Sequence, residues 1–145
     1  MRAACDLFPQ SLTWVGHKIS ADGVEIDPAW LQTTLSIPEP EDAAQLQQFL
    51  AACNWVRGKI PHYATIVAPL QQLLQTALKG LRKRNKESAR RITLVSAGWG
   101  AVHSKCFSDI KTALTDAVRL AHPREDFVLC LFTDASRNHW ASMLT

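Results

Sequence analysis

The sequence predicts an α+β fold, on three observations. Short apolar strand pieces separated by turn residues occupy the first forty positions, amphipathic helical periodicity runs through the middle, and residues 126–133 form an almost unbroken apolar run rich in β-formers. The 145 residues are 47% hydrophobic and 20% charged, a packed globular composition that excludes disorder throughout. No stretch offers the roughly 18 apolar residues that span a bilayer, and residues 1–6 lack the apolar centre of a signal peptide. The expectation is an intracellular protein, cytoplasmic or nuclear, with no membrane partner. Cys5, Cys53, Cys106 and Cys130 stand 48, 53 and 24 residues apart with no C-x-x-C pair, which argues against a zinc knuckle or a disulfide framework. They read as small buried hydrophobes.

Each element follows in order. Leu12, Trp14 and Ile19 bracket a short apolar run, and Ala21-Asp22-Gly23 has turn chemistry, so a β-hairpin is expected with Val24 and Ile26 on its returning strand. Asp27 then caps a short helix opened by Pro28 and carrying Trp30, Leu31 and Leu35, which stops before Ile37 and Pro38. Glu41 and Asp42 suit the first turn of a second helix, and Leu46, Phe49, Leu50 and Cys53 give it one buried stripe; Gly58 and Pro61 end it. The period resumes at Tyr63, Ile66, Val67, Leu70, Leu73 and Leu74. Because Pro69 breaks a continuous helix, the expectation is a turn over 62–67 and a new helix opening near Pro69. Trp99, Val102, Cys106, Ile110, Leu114 and Ala117 define a third long helix, terminated by Pro123. Residues 126–133 read as a strand buried on both faces that runs into Asp134, with a second strand from Trp140 to Leu144. Two such strands make no stable sheet alone, so the sequence reads as cut within a domain.

Charge is unevenly placed. The net +3 divides into +6 for residues 79–91, with seven basic residues and one acid, and −3 for the remainder. A run this dense is either a solvated loop or an arm that contacts phosphates, and it marks a boundary between apolar, periodic neighbours. Asp134 is also open to two readings. A carboxylate at the end of a rigid strand suits a Mg²⁺ ligand in phosphodiester hydrolysis, and an aspartate followed by serine suits a turn cap.

Three blocks, WVGHKISADGVEIDP, LQQFLAACNWVRGKIPHYATIVAPLQQLL and FVLCLFTDAS, occur in order over nearly the whole chain. Together they resemble the Pol polyprotein of gypsy-type long-terminal-repeat retrotransposons. There, a segment of the form LGHxIS-x-x-G-x-x-x-DP closes the reverse transcriptase palm, a thumb of the form FLGLxNYYRxFIPxFxxIAxPLxxLL follows, and a connection leads to the TDAS strand of ribonuclease H. The resemblance divides the chain into a palm edge (1–37), a helical thumb (38–78), a basic linker or insertion (79–97), and a connection helix with the start of a truncated ribonuclease H-like mixed sheet (98–145).

The resemblance implies roles residue by residue. Trp14, Gly16, His17 and Lys18, with Val15, fall on the primer-grip-like hairpin, where backbone N–H groups and two cationic or polar donors suit phosphates without reading bases. Asn54, Trp55, Arg57 and Lys59 fall on the thumb's NYYR-like element, with Trp55 and Val56 replacing the usual tyrosine pair. Arg82, Lys83 and Arg84 belong to the basic run. Asp134 matches the first catalytic aspartate of ribonuclease H and would hold Mg²⁺, while the sequence has no Asp-Asp pair for a polymerase site. The expectation is therefore a polymerase fragment whose intact parent performs RNA-directed DNA synthesis and Mg-dependent cleavage of RNA in hybrids. The chain alone would bind template–primer or RNA–DNA hybrid, together with the rest of the polyprotein, and would be catalytically incomplete. The alternative is a domesticated nucleic-acid-binding or interaction module without enzymatic activity.

Overall fold

The computed structural model describes residues 9–79, 81, 85–117, 119–122, 128, 130–135 and 140–144. Three short strands, β1 (Ser11–Trp14), β2 (His17–Ser20) and β3 (Gly23–Ile26), form an antiparallel sheet in the order β1-β2-β3. The expected hairpin is thus β2–β3, and a second two-residue turn at Val15 and Gly16 adds β1, with Trp14 opposite His17. Both turn residues have positive φ, 46° at Val15 and 75° at Gly16, as right-twisted hairpins with two-residue loops prefer. A β-branched residue is strained there, which hides the turn from a sequence reading.

Past β3, Asp27 accepts from the Ala29 N–H at 3.2 Å and starts α1 (Pro28–Leu35), as predicted. Asp42 is the cap of α2 (Ala43–Trp55) rather than part of its first turn, accepting from the Gln45 N–H at 2.8 Å while the Gln45 side chain accepts from the Glu41 N–H. A 3₁₀ turn, Arg57–Lys59, leads to α3 (Tyr63–Leu78). Here the expected break is absent: α3 is continuous, with Pro69 inside it. Proline removes one i→i−4 hydrogen bond, yet Val67 and Leu70 on either side are fully buried, and that packing holds the helix together.

The basic segment is not wholly an open linker. Lys86–Arg90 form a short helix, α4, whose Ala89 is buried against the core. The chain beyond it pairs with the start of α2, Ala43 N–H donating to Ile92 O at 3.0 Å and Leu94 N–H to Glu41 O at 2.8 Å, and Leu94 is buried. α5 (Ala101–Thr115) packs on α3 through Cys106, Phe107, Ile110 and Leu114. It ends at Thr115, well before Pro123; Trp99 and Ala117 lie outside it and Val102 is exposed. Phe49 and Phe107 meet at 4.5 Å in the centre of the core. From α5, Lys111 reaches back to donate to Leu35 O at 2.8 Å and Ile37 O, satisfying carbonyls at the end of α1.

After α5 the chain returns to the sheet. Val24 and Leu120 exchange both backbone hydrogen bonds, at 2.8 and 2.9 Å, and Arg119 pairs with Glu25 at 3.0 Å. β4 (Leu131–Ala135) and β5 (Trp140–Leu144) form a separate antiparallel pair, with Asp134 opposite Ala141. The expected two-face burial of this run is not seen where side chains are described, since Val128 is 84% and Leu131 65% exposed. Phe127 and Leu129 lie outside the described residues. A lone two-stranded pair offers no second layer to cover an apolar face.

Candidate nucleic-acid interface

The hairpin turn is the most exposed apolar feature of the sheet, with Trp14 65% and Val15 54% exposed, so Trp14 is no core residue. Its shape is fixed from behind. The Gly16 carbonyl accepts from the Asp27 N–H at 2.9 Å, and a Cβ at Gly16 would sit 3.0 Å from the Trp30 ring. The Val15 carbonyl accepts from the Trp55 indole N–H at 2.9 Å and lies 3.2 Å from His17 Nδ1. The His17 ring stands edge-on to Trp55, centroids 5.8 Å apart. Trp55, at the end of α2, therefore does two things: it locks the turn through its N–H and keeps half of its ring exposed. The structure brings Trp14, Gly16, His17 and Trp55 together into one ridge at the junction of sheet and helices.

The cations divide. Lys18 lies across from Glu25 at 3.5 Å, and Glu25 also holds Arg119, so this charge is partly neutralised. Arg57 is exposed and donates to the Asn54 side chain at 3.3 Å. Lys59 must be corrected: it is 2% exposed, and its ammonium donates to the Val24 carbonyl. Burial holds its pKa below the usual lysine value, opposed by the nearby Glu25 charge. It ties the 3₁₀ turn to β3 instead of standing open to solvent. Arg82, Lys83 and Arg84 lie outside the described residues.

Asp134 stands in β4, and its side chain lies outside what the structure describes. Among the described residues no three of His, Cys, Asp and Glu gather into a metal-holding group. The buried thiols are inert: burial pushes Cys53 up to about 12 and also raises Cys106, which donates to Ile66 O. Sequence reasoning passed over His62, Tyr63 and Gln71, which with Asn54 and Arg57 line a cleft at the start of α3. One sequence signal was available, a tyrosine at a position where the thumb pattern has phenylalanine.

The Cys53 shift carries a pH prediction. A thiol that ionises near 9 unfolded and near 12 folded contributes stability present below pH 9 and lost as pH rises toward 12. Tyr63, pushed up to about 12 by burial, acts in the same direction above pH 10. Thermal melts from pH 7 to 11 are expected to fall steeply above pH 9, and Cys53→Ala, though less stable at neutral pH, to show a shallower fall. Parallel curves for the two proteins would contradict this.

No model of a protein family matches the chain. It is 29% identical over 99% of its length to an uncharacterized mitochondrial protein of Arabidopsis thaliana, of which it covers 80%. It is 26% identical over 97% of its length to the retrovirus-related Pol polyprotein from transposon 412 of Drosophila melanogaster, of which it spans 10%. Among solved structures it superimposes on a foamy viral protease–reverse transcriptase in complex with double-stranded DNA, with a TM-score of 0.68 and 22% identity, over 95% of this chain and 22% of that one. The small sheet followed by packed helices is thus the fold of a reverse transcriptase segment. The chain is a homologue of the Pol polyproteins of retrotransposons and retroviruses.

Proposed function

We propose that this chain is the duplex-holding part of a gypsy-type Pol polyprotein, in which the β1–β2 turn and the end of α2 form one face against a template–primer or RNA–DNA hybrid. The observation that carries this reading is the Val15–Gly16 turn, exposed at Val15 and the adjoining Trp14 and braced by the Trp55 N–H. Exposed aromatic faces beside donors and the exposed Arg57 guanidinium suit a nucleic-acid backbone with little sequence preference. In this reading residues 1–37 are a palm edge, 38–78 the thumb, 79–97 a basic insertion packed in part on the thumb, and 98–145 the connection with the start of a ribonuclease H-like sheet. The cellular site would be intracellular, cytoplasmic or nuclear. No helix of the described residues is long and apolar enough to cross a membrane.

The intact parent would supply RNA-directed DNA synthesis and Mg-dependent RNA cleavage. In this chain a strand carboxylate, Asp134, is matched to a Mg²⁺ ligand, and a site needs several convergent carboxylates. The chain alone therefore binds without cutting. Incubating it with a hybrid and Mg²⁺ should give no cleavage; cleavage abolished by Asp134→Asn would overturn that statement. The alternative of a domesticated binding module shares the same face and differs in the absence of any polymerase context.

The turn makes its own prediction. Trp14→Ala removes one exposed ring, worth roughly 1–3 kcal/mol per stacked base, and is expected to weaken hybrid binding about tenfold without altering the dependence on salt, because no charge is removed. Fluorescence anisotropy at several salt concentrations measures both quantities. Unchanged affinity would remove Trp14 from the interface.

A further inference from the structure

Two residues four apart, Trp55 and Lys59, reach from the end of α2 and the following 3₁₀ turn to the same small sheet, and each ends on a backbone carbonyl. Trp55 donates its indole N–H to Val15 O at the exposed turn, and Lys59 donates its ammonium to Val24 O in β3. These carbonyls lie at separate points of one connected piece. Trp14 stands opposite His17, His17 opposite Ile26, and the Gly16 carbonyl accepts from the Asp27 N–H, so the turn is joined to the end of β3. Val24 precedes Asp27 by three residues, roughly 10 Å along an extended chain. A single hydrogen bond fixes a point and leaves rotation about it. Two bonds that far apart also fix the orientation of the sheet on the helices.

The Lys59 contact is more than packing. The residue is buried, and taking an ammonium out of water is unfavourable unless its partners offset the loss. The thumb pattern has phenylalanine at this position, which fills a buried site without that penalty. Nor does the carbonyl depend on the lysine. Val24 O already accepts from the Leu120 N–H at 2.9 Å, so it is satisfied by backbone alone. Stability of the fold therefore does not account for a charged donor here. What the ammonium adds is a directional bond that holds β3 at one place against the 3₁₀ turn.

We infer that Lys59 is a positioning residue for the nucleic-acid face: with Trp55 it clamps the sheet to the end of α2 at two points, and so holds Trp14 and His17 in place for a bound strand without touching that strand. The inference rests on the reading of the chain as a duplex binder and assigns to it a residue that lies outside the binding surface. It also sets the salt signature. A lysine that pairs with a phosphate contributes about one unit to the salt dependence of binding, whereas a buried lysine bonded to a carbonyl contributes none.

The test compares the full chain with Lys59→Met, which keeps the reach of the side chain and removes its charge and its donor. Lys59→Met is expected to melt no lower than the parent, since a buried charge gives way to an apolar chain of similar volume. It should bind a short RNA–DNA hybrid roughly five-fold more weakly, the worth of one lost hydrogen bond, with an unchanged salt slope. Without ligand, its Trp55 indole N–H resonance should shift and exchange faster, a change that filling space at position 59 does not produce. Trp55→Phe cuts the other tether, and the double variant should lose less affinity than the product of the two single losses, because either cut already frees the sheet. If the parent binds hybrid and Lys59→Met binds it equally, or the Trp55 signal is unmoved, the positioning role is overturned and the duplex reading stands. A slope shallower by about 0.9 would make Lys59 a direct phosphate contact instead. A much lower melting temperature in both Lys59→Met and Lys59→Phe would assign the lysine to stability and overturn the inference. A parent that binds no hybrid overturns the duplex reading, and the role of Lys59 in binding falls with it.

Discussion

Replacing Gly23 by alanine is expected to destabilise the fold by about 3 kcal/mol, lowering the melting temperature by roughly 10 °C. Two effects combine. Gly23 has φ +131°, a backbone conformation that costs a residue with a side chain on the order of 1–3 kcal/mol. A Cβ there would also lie 2.3 Å from the Leu120 carbonyl oxygen, which is backbone and cannot swing aside. To make room, the returning segment must leave β3, breaking the two hydrogen bonds between Val24 and Leu120 and loosening the Arg119–Glu25 pair. Each backbone bond is worth about 1 kcal/mol net. Circular dichroism melts of the two proteins decide it, and a change under about 1 kcal/mol would mean that the 119–122 segment does not sit on the sheet as described.

The largest effect on binding is expected from the basic segment. Converting Arg82, Lys83, Arg84, Arg90 and Arg91 to glutamine removes five of the seven positive charges that give residues 79–91 their +6. Arg90 and Arg91 are exposed. Every phosphate that the segment no longer neutralises should make the slope of log affinity against log salt shallower by about 0.9. Affinity for a hybrid at 0.1 M salt should fall by at least roughly tenfold, while the exposed Arg90 and Arg91 carry almost none of the fold's stability. An unchanged slope would identify the segment as a solvated surface.

Much of the helical framework was legible because local chemistry decides it. Asp27 caps the helix it was expected to start, Asp42 caps α2 one step before the first turn it was expected in, and the stripes of α2 and α5 match the buried residues Leu46, Phe49, Cys53, Cys106, Ile110 and Leu114. What failed depends on contacts far away in sequence. Pro69 predicts a break, and burial of Val67 and Leu70 overrides it. Lys59 reads as an exposed cation in a thumb motif, yet its partner is the Val24 carbonyl, 35 residues earlier. Val15 gives no turn signal, and the turn is held by Trp55, 40 residues on. The reason for Gly23 lies at Leu120, beyond any local rule. Of the proposed site, Trp14, His17, Asn54, Trp55 and Arg57 sit on recognisable motifs, while the cleft that includes His62, Tyr63 and Gln71 exists only once α2 and α3 are packed.

One face, made by the β1–β2 turn and the end of α2, is expected to meet the duplex, and everything proposed for binding depends on it. Backbone hydrogen exchange of the full chain with and without a saturating RNA–DNA hybrid measures this directly. The predicted result is slower exchange on binding in residues 14–18 and 54–57, larger than any change on the far side of α5. Binding with no added protection in those two stretches would contradict it.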